Sequence, residues 1–175
     1  MPAPPAGSRH GVDGRHLTTY LNDHLGGSTA GLELAKRTRA NNEGTEFEPS
    51  LARIAAEIEE DREALIAMIQ ALGARPDPIK RAVAWAGEKL ARAKPNGALI
   101  GYSPLSRLIE FEGLMLGVSG KLALWRALAD TAPPALRSFP YDELIARAEA
   151  QRAELERCRI EAARAALRGA AVPVT

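Results

Sequence analysis

The chain has 175 residues, enough for one domain that buries about two-thirds of the surface its unfolded form exposes. Its 23 Lys and Arg against 22 Asp and Glu leave a formal charge of +1, which supplies no global field to draw nucleic acid or an acidic membrane. The single cysteine, Cys158, excludes an intrachain disulfide and any multi-cysteine zinc or iron–sulfur site, and fits a reducing compartment such as the cytoplasm.

Residues 1–13 are rich in Pro and Gly and read as a flexible N-terminal arm, without the apolar core of a secretion signal. No run of eighteen apolar residues follows, so a membrane span is not expected. The helical domain is expected over 14–168, with 169–175 as a flexible tail. Ala, Leu, Arg and Glu dominate while aromatics make up only 5%, a composition that favours an all-α fold.

A first helix is predicted from Arg15 to Ala40, with Leu17, Leu21, Leu25, Leu32 and Ala35 on one face. A second opens near Pro49 and ends at Leu72, where Gly73 is a natural stop. Between about Asp77 and Ala93 a short helix is expected, then a loop to Tyr102. The third long helix starts at Ser103-Pro104 and runs to about Asp130, apolar almost all the way round, which makes it the candidate for the centre of the bundle. After Pro133-Pro134, a fourth runs from Tyr141 to about Arg168, its thin seam of Leu144, Ala148, Gln151, Leu155, Cys158 and Ala162 suited to a peripheral or self-associating helix. The long connection between the second and third helices favours a crossover over a hairpin, so the expected architecture is an antiparallel, ferritin-like four-helix bundle with a short extra helix in the crossover.

Three ionisable residues fall among apolar neighbours: His24 with Leu21 and Ala35, Arg62 between Ile58 and Leu65, and Glu112 with Ile109 and Leu116. Buried charges need partners, so Arg62 is expected to pair with Glu112, and His24 to join them. That cluster reads either as a register-fixing structural feature or as a small polar pocket. No Glu-x-x-His motif occurs, so no metal is expected; an unusual site would have to draw on His24, Glu57, Asp61 and Glu112. His16 and His24 lie about 12 Å apart along a helix, too far for a helix-borne zinc pair. Cys158 reads as a small core residue. The run Gly26 to Gly31 is expected to permit close packing against Gly113, Gly117, Ser119 and Gly120. Trp85, Lys89, Arg92 and Tyr102 mark a candidate partner surface around the crossover.

The stretches Tyr20-Leu21-Asn22-Asp23-His24-Leu25, Glu57-Ile58-Glu59-Glu60-Asp61-Arg62, Trp85-Ala86-Gly87-Glu88-Lys89-Leu90 and Tyr102-Ser103-Pro104-Leu105-Ser106-Arg107 carry a resemblance. In them the chain resembles a family of uncharacterised bacterial all-helical proteins with a ferritin-like four-helix architecture, from about Thr19 through the last helix. The resemblance implies a fold and no activity. The leading expectation is a non-enzymatic bundle without cofactors that acts through protein contacts, as a homodimer through the fourth helix or the crossover segment. The alternatives are a ferritin-like metal-binding or oxidoreductase protein and a small-ligand carrier with a pocket among the first three helices.

Overall fold

Helix-forming runs separated by well-defined stops give four long helices: α1 (Gly14–Asn41), α2 (Glu48–Ala71), α3 (Pro104–Thr131) and α4 (Tyr141–Leu167), with a 3-10 turn at Pro134–Leu136 before the last. The computed structural model describes residues 14–77 and 102–168. The terminal segments, the expected crossover helix and most of the expected loop after it, and with them Trp85, Lys89 and Arg92, lie outside the described residues.

Local chemistry explains the boundaries. Gly73, at φ +70°, closes α2: its N–H donates to Gln70 O at 2.8 Å while Ala74 N–H reaches Ile69 O at 3.2 Å, so two otherwise orphaned carbonyls are satisfied. Gly44 takes the same left-handed conformation in the α1–α2 turn, where its N–H donates to Glu48 Oε2 at 2.6 Å. Ser103 caps α3 by accepting from Ser106 N–H at 3.1 Å, with Pro104 in the first turn.

Side-chain pairs along the helices fix their directions. Lys36 meets Glu59 across α1 and α2, and Arg37 meets Glu110 across α1 and α3. On α4, Arg159 and Glu149 meet Glu112 and Arg126 of α3, whereas Gln151 and Glu154 meet Glu57 and Ser50 of α2. All four adjacent pairings are antiparallel, so α2 and α3 run in the same direction on opposite corners of the bundle. A hairpin cannot join them. The order is up-down-down-up, which belongs to bundles with a long crossover.

Trp125, Phe111, Leu122 and Leu128 of α3 pack with Leu21 and Leu25 of α1, Leu51, Ile54, Met68 and Ile69 of α2, and Leu144, Ala148, Leu155 and Ala162 of α4. Two expectations are corrected here. The seam of α4 is not peripheral, because Tyr141, Leu144, Ala148, Gln151, Leu155, Cys158 and Ala162 are all buried inside the chain. Nor is α3 buried on every side: Leu105, Ile109 and Leu116 are 51%, 47% and 69% exposed. The small residues also act differently from expectation. A Cβ on Gly113 would meet Leu34 Cδ2 at 3.0 Å, a close approach of α3 to α1, whereas Gly27, Gly31, Gly117 and Gly120 have nothing within 4 Å among the described residues.

Candidate functional site

The buried polar groups of α2, α3 and α4 meet in one layer. Asp61 falls three residues after Ile58 and four before Leu65, and therefore faces the core; it is only 2% exposed. Lys121 reaches it across the bundle diagonal, its ammonium donating to Asp61 Oδ2 and, at 2.6 Å, to Gln151 Oε1. Gln151 in turn donates through Nε2 to Glu57 Oε2 at 2.8 Å, and Arg53 approaches Glu57 at 3.9 Å. Arg147 binds Glu60 and brings its Nε within 3.2 Å of Asp61 Oδ1, off the hydrogen-bond axis.

Burial pulls the Lys121 ammonium below the ordinary lysine range, and the Asp61 carboxylate works against that shift. Three anions, Asp61, Glu57 and Glu60, three cations, Lys121, Arg147 and Arg53, and an amide that both donates and accepts thus form a clasp of three helices. With both partners charged and bonded, the clasp avoids the penalty of an isolated buried ion, but removing either Asp61 or Lys121 restores it.

A second polar group closes the end of the bundle where α1 turns into α2 and α3 begins. Asn42, fully buried, donates to Thr38 O at 2.7 Å and to Tyr102 Oη at 2.9 Å, and accepts from Arg107 Nε at 2.6 Å. Tyr102 Oη donates to Glu110 Oε2 at 3.0 Å, while Asn41 and Arg37 reach the other oxygen of that carboxylate at 3.1 Å. The Arg107 guanidinium lies over the rings of Phe47 and Tyr102, 5.3 and 5.5 Å from their centroids. Burial, first among several causes, pushes the Tyr102 phenol up to about 12. Tyr102, expected on a partner surface, braces the start of α3 against the α1–α2 turn through its hydroxyl while its side chain stays partly exposed.

The expected His24–Arg62–Glu112 cluster does not form. Glu112 is exposed on the outer side of α3, 3.9 Å from Arg159. Arg62 is half-buried and its Nε has no hydrogen-bond partner among the described residues. His24 sits edge-on to Tyr20, ring centroids 4.7 Å apart, and burial lowers its pKa despite the nearby Asp23 carboxylate. The reason lies in α3: its apolar residues run nearly all round, so periodicity groups Glu112 correctly with Ile109 and Leu116 but cannot say that this face points outward. On α2 the inward charge is Asp61, one position before Arg62 and about 100° away around the helix.

The four residues that an unusual metal site would draw on are separated as well. Glu57 and Asp61 belong to the clasp, linked to each other through Gln151 and Lys121, while Glu112 and His24 lie elsewhere. Among the described residues no three His, Cys, Asp or Glu side chains converge as a donor set. Cys158 is buried, and burial raises its pKa, in keeping with a core residue. Two depressions open to solvent sit at the α3–α4 turn, near Phe139 to Glu143, and at the α1–α2 turn, near Arg39 and Glu48. No described helix is long and apolar enough to cross a membrane.

What sequence reasoning missed, Lys121 with Asp61, had a partial signal in Asp61 and Gln151, which both fall on apolar seams. Lys121 had none, because a long side chain can enter the core from a helix flank.

The remaining candidate is the outer side of α3. Leu105, Ile109, Glu112 and Leu116 recur at intervals of four, three and four residues, so they form one stripe along the helix. The antiparallel register fixed by the Glu112–Arg159 and Arg126–Glu149 pairs brings the exposed Ile160 and Leu167 of α4 level with Glu112 and Leu105.

Fold and geometry together define a four-helix bundle with an ionic clasp inside and an apolar stripe outside. Comparison with known protein families, curated proteins and solved structures finds no match to the chain.

Proposed function

We propose that the chain is a protein-contact module, a helical bundle whose working surface is the outer side of α3. The observation that carries this reading is the exposure of Leu105, Ile109 and Leu116 in one stripe on an otherwise well-packed helix. Covering a leucine of this kind gains on the order of 1–2 kcal/mol. Single exposed leucines need no explanation, but a stripe with helical spacing matches the anchors by which helices meet a partner. The polar layer supports the reading from the other side, because its charges are consumed in bonds between the chain's own helices and hold the scaffold that presents the stripe.

A ferritin-like metal protein is the less supported reading, since Asp61 is bonded to the Lys121 ammonium and Glu57 to the Gln151 amide. The carrier reading gains no support from the two depressions described, which lie at the turns between helices.

The test is site-specific photo-crosslinking in extract of the native cell, with the probe at Leu116, at Ile109 and, as a control, at Arg53. A discrete adduct from the two α3 positions, suppressed by excess unlabelled protein but not by its Leu116→Glu variant, is the expected result. Equal labelling from Arg53, or no adduct from α3, would remove the basis for the proposal.

A further inference from the structure

We infer that α1 is built in two parts, with a hinge at residues 26–31 about which its first half opens from the bundle. The inference does not depend on what meets the α3 stripe.

The residues of the hinge are the first argument. Gly26-Gly27-Ser28-Thr29-Ala30-Gly31 falls near the middle of a helix of 28 residues. A Cβ on Gly27 or Gly31 would meet nothing within 4 Å among the described residues, so close packing there does not call for glycine at either place. Each nevertheless gives up helix propensity relative to alanine, through the freedom its backbone gains when the helix opens.

Hydrogen bonding is the second. The Leu25 carbonyl is the helical acceptor for the Thr29 N–H. Two hydroxyls crowd onto it as well, Ser28 Oγ donating at 2.7 Å and Thr29 Oγ1 at 3.2 Å. Side chains that bond back in this way compete with the helical ladder and let a helix bend.

Anchoring is the third. Beyond the hinge, Lys36 bonds to Glu59, Arg37 and Asn41 bond to Glu110, and Asn42 bonds to Arg107 and Tyr102. Before it, Leu21 and Leu25 are buried, and Asn22 Oδ1 accepts from Asp77 N–H at 2.7 Å. The first half can therefore leave without breaking any of these bonds of the second. Glycines occur on α3 too, at Gly113, Gly117 and Gly120, but that helix is held on both sides of them, by Arg107 and Glu110 before and by Lys121 and Arg126 after.

Opening uncovers Leu21 and Leu25, both fully buried in the closed bundle. With the half-buried Leu17 they recur every four residues, so the freed half carries a second apolar face that the fold presents only in the open form.

The test is hydrogen exchange of the full chain at single-amide resolution. A helix of about a dozen residues is marginal in water once detached, so opening is read as exchange of its amides. Residues 18–25 are expected to share one opening equilibrium, at least about tenfold more open than that of residues 32–38, with the step across 26–31. Gly27→Ala combined with Gly31→Ala should slow exchange in 18–25 by about tenfold, because opening uncoils the hinge. Leu155→Ala lies on α4, which makes no contact with α1 among the described residues. It should speed exchange in 32–38 and leave 18–25 unchanged, since opening keeps the rest of the bundle folded. Protection that declines gradually toward residue 14 without a step, a glycine variant that leaves 18–25 unchanged, or a Leu155→Ala effect equal in both halves would overturn the inference.

Discussion

On α3, Lys121 points into the bundle and Leu116 points out of it, five positions apart on the same helix. Lys121 is tied to Asp61 of α2 and Gln151 of α4, and its side chain is 15% exposed; Leu116 has more than half its surface in water. The usual distribution of charged and apolar residues is reversed at both places. Inside, the reversal is compensated within the chain, by partners on two other helices. Outside, no described residue compensates it, which is why the inner site belongs to folding and the outer one is assigned to association.

The contrast breaks first at the clasp. Asp61→Ala or Lys121→Ala should lower stability by about 3–5 kcal/mol in urea unfolding, because each leaves its partner buried and unpaired. Replacing both together, with Asp61→Leu and Lys121→Met, should recover much of that loss. A loss under about 1 kcal/mol from either single change would place the pair in water.

The two sides of α3 can then be compared with like residues. Leu122→Ala should cost about 2–5 kcal/mol, since Leu122 is 2% exposed, while Leu116→Ala should stay within about 0.5 kcal/mol in the monomer. Equal costs would mean that Leu116 is already covered within the chain.

Smaller again is the effect of Gly31→Ala in α1, expected to raise stability by about 0.5–1 kcal/mol through helix propensity. Nothing within 4 Å among the described residues opposes the added methyl, so a destabilisation would reveal a neighbour at that face.

The last effect is a slope with pH. Burial, ahead of the opposing Asp23 charge, holds the folded His24 below its ordinary value of 6.5. Between the two values the unfolded chain binds the proton that the folded one refuses, so stability falls as pH drops through 6.5. His24→Gln should flatten that part of the stability–pH curve; an unchanged slope would assign it to other groups.

Much of the fold was legible in the sequence. Gly73, Ser103-Pro104 and Pro133-Pro134 are local signals, and local signals set where helices begin and end: α2 and α3 start and stop within two residues of the expected positions. Cys158 and Gln151 were placed correctly on the seam of α4, although the seam proved to face inward. The candidate site was read less well. His24, Arg62 and Glu112 each lie near apolar neighbours, yet helical period fixes only which residues share a face, and on α3 every face is apolar enough to be the inner one.

The sequence by itself determined the helices, their order and their faces, because capping, propensity and the 3.6-residue repeat act within a few residues of chain. Only the tertiary structure decided which face of α3 the other helices cover, and so which charge is buried and which leucines are not. That choice depends on how α1 and α4 dock along α3, with Gly113 against Leu34 and Glu112 beside Arg159, contacts between positions far apart in the chain.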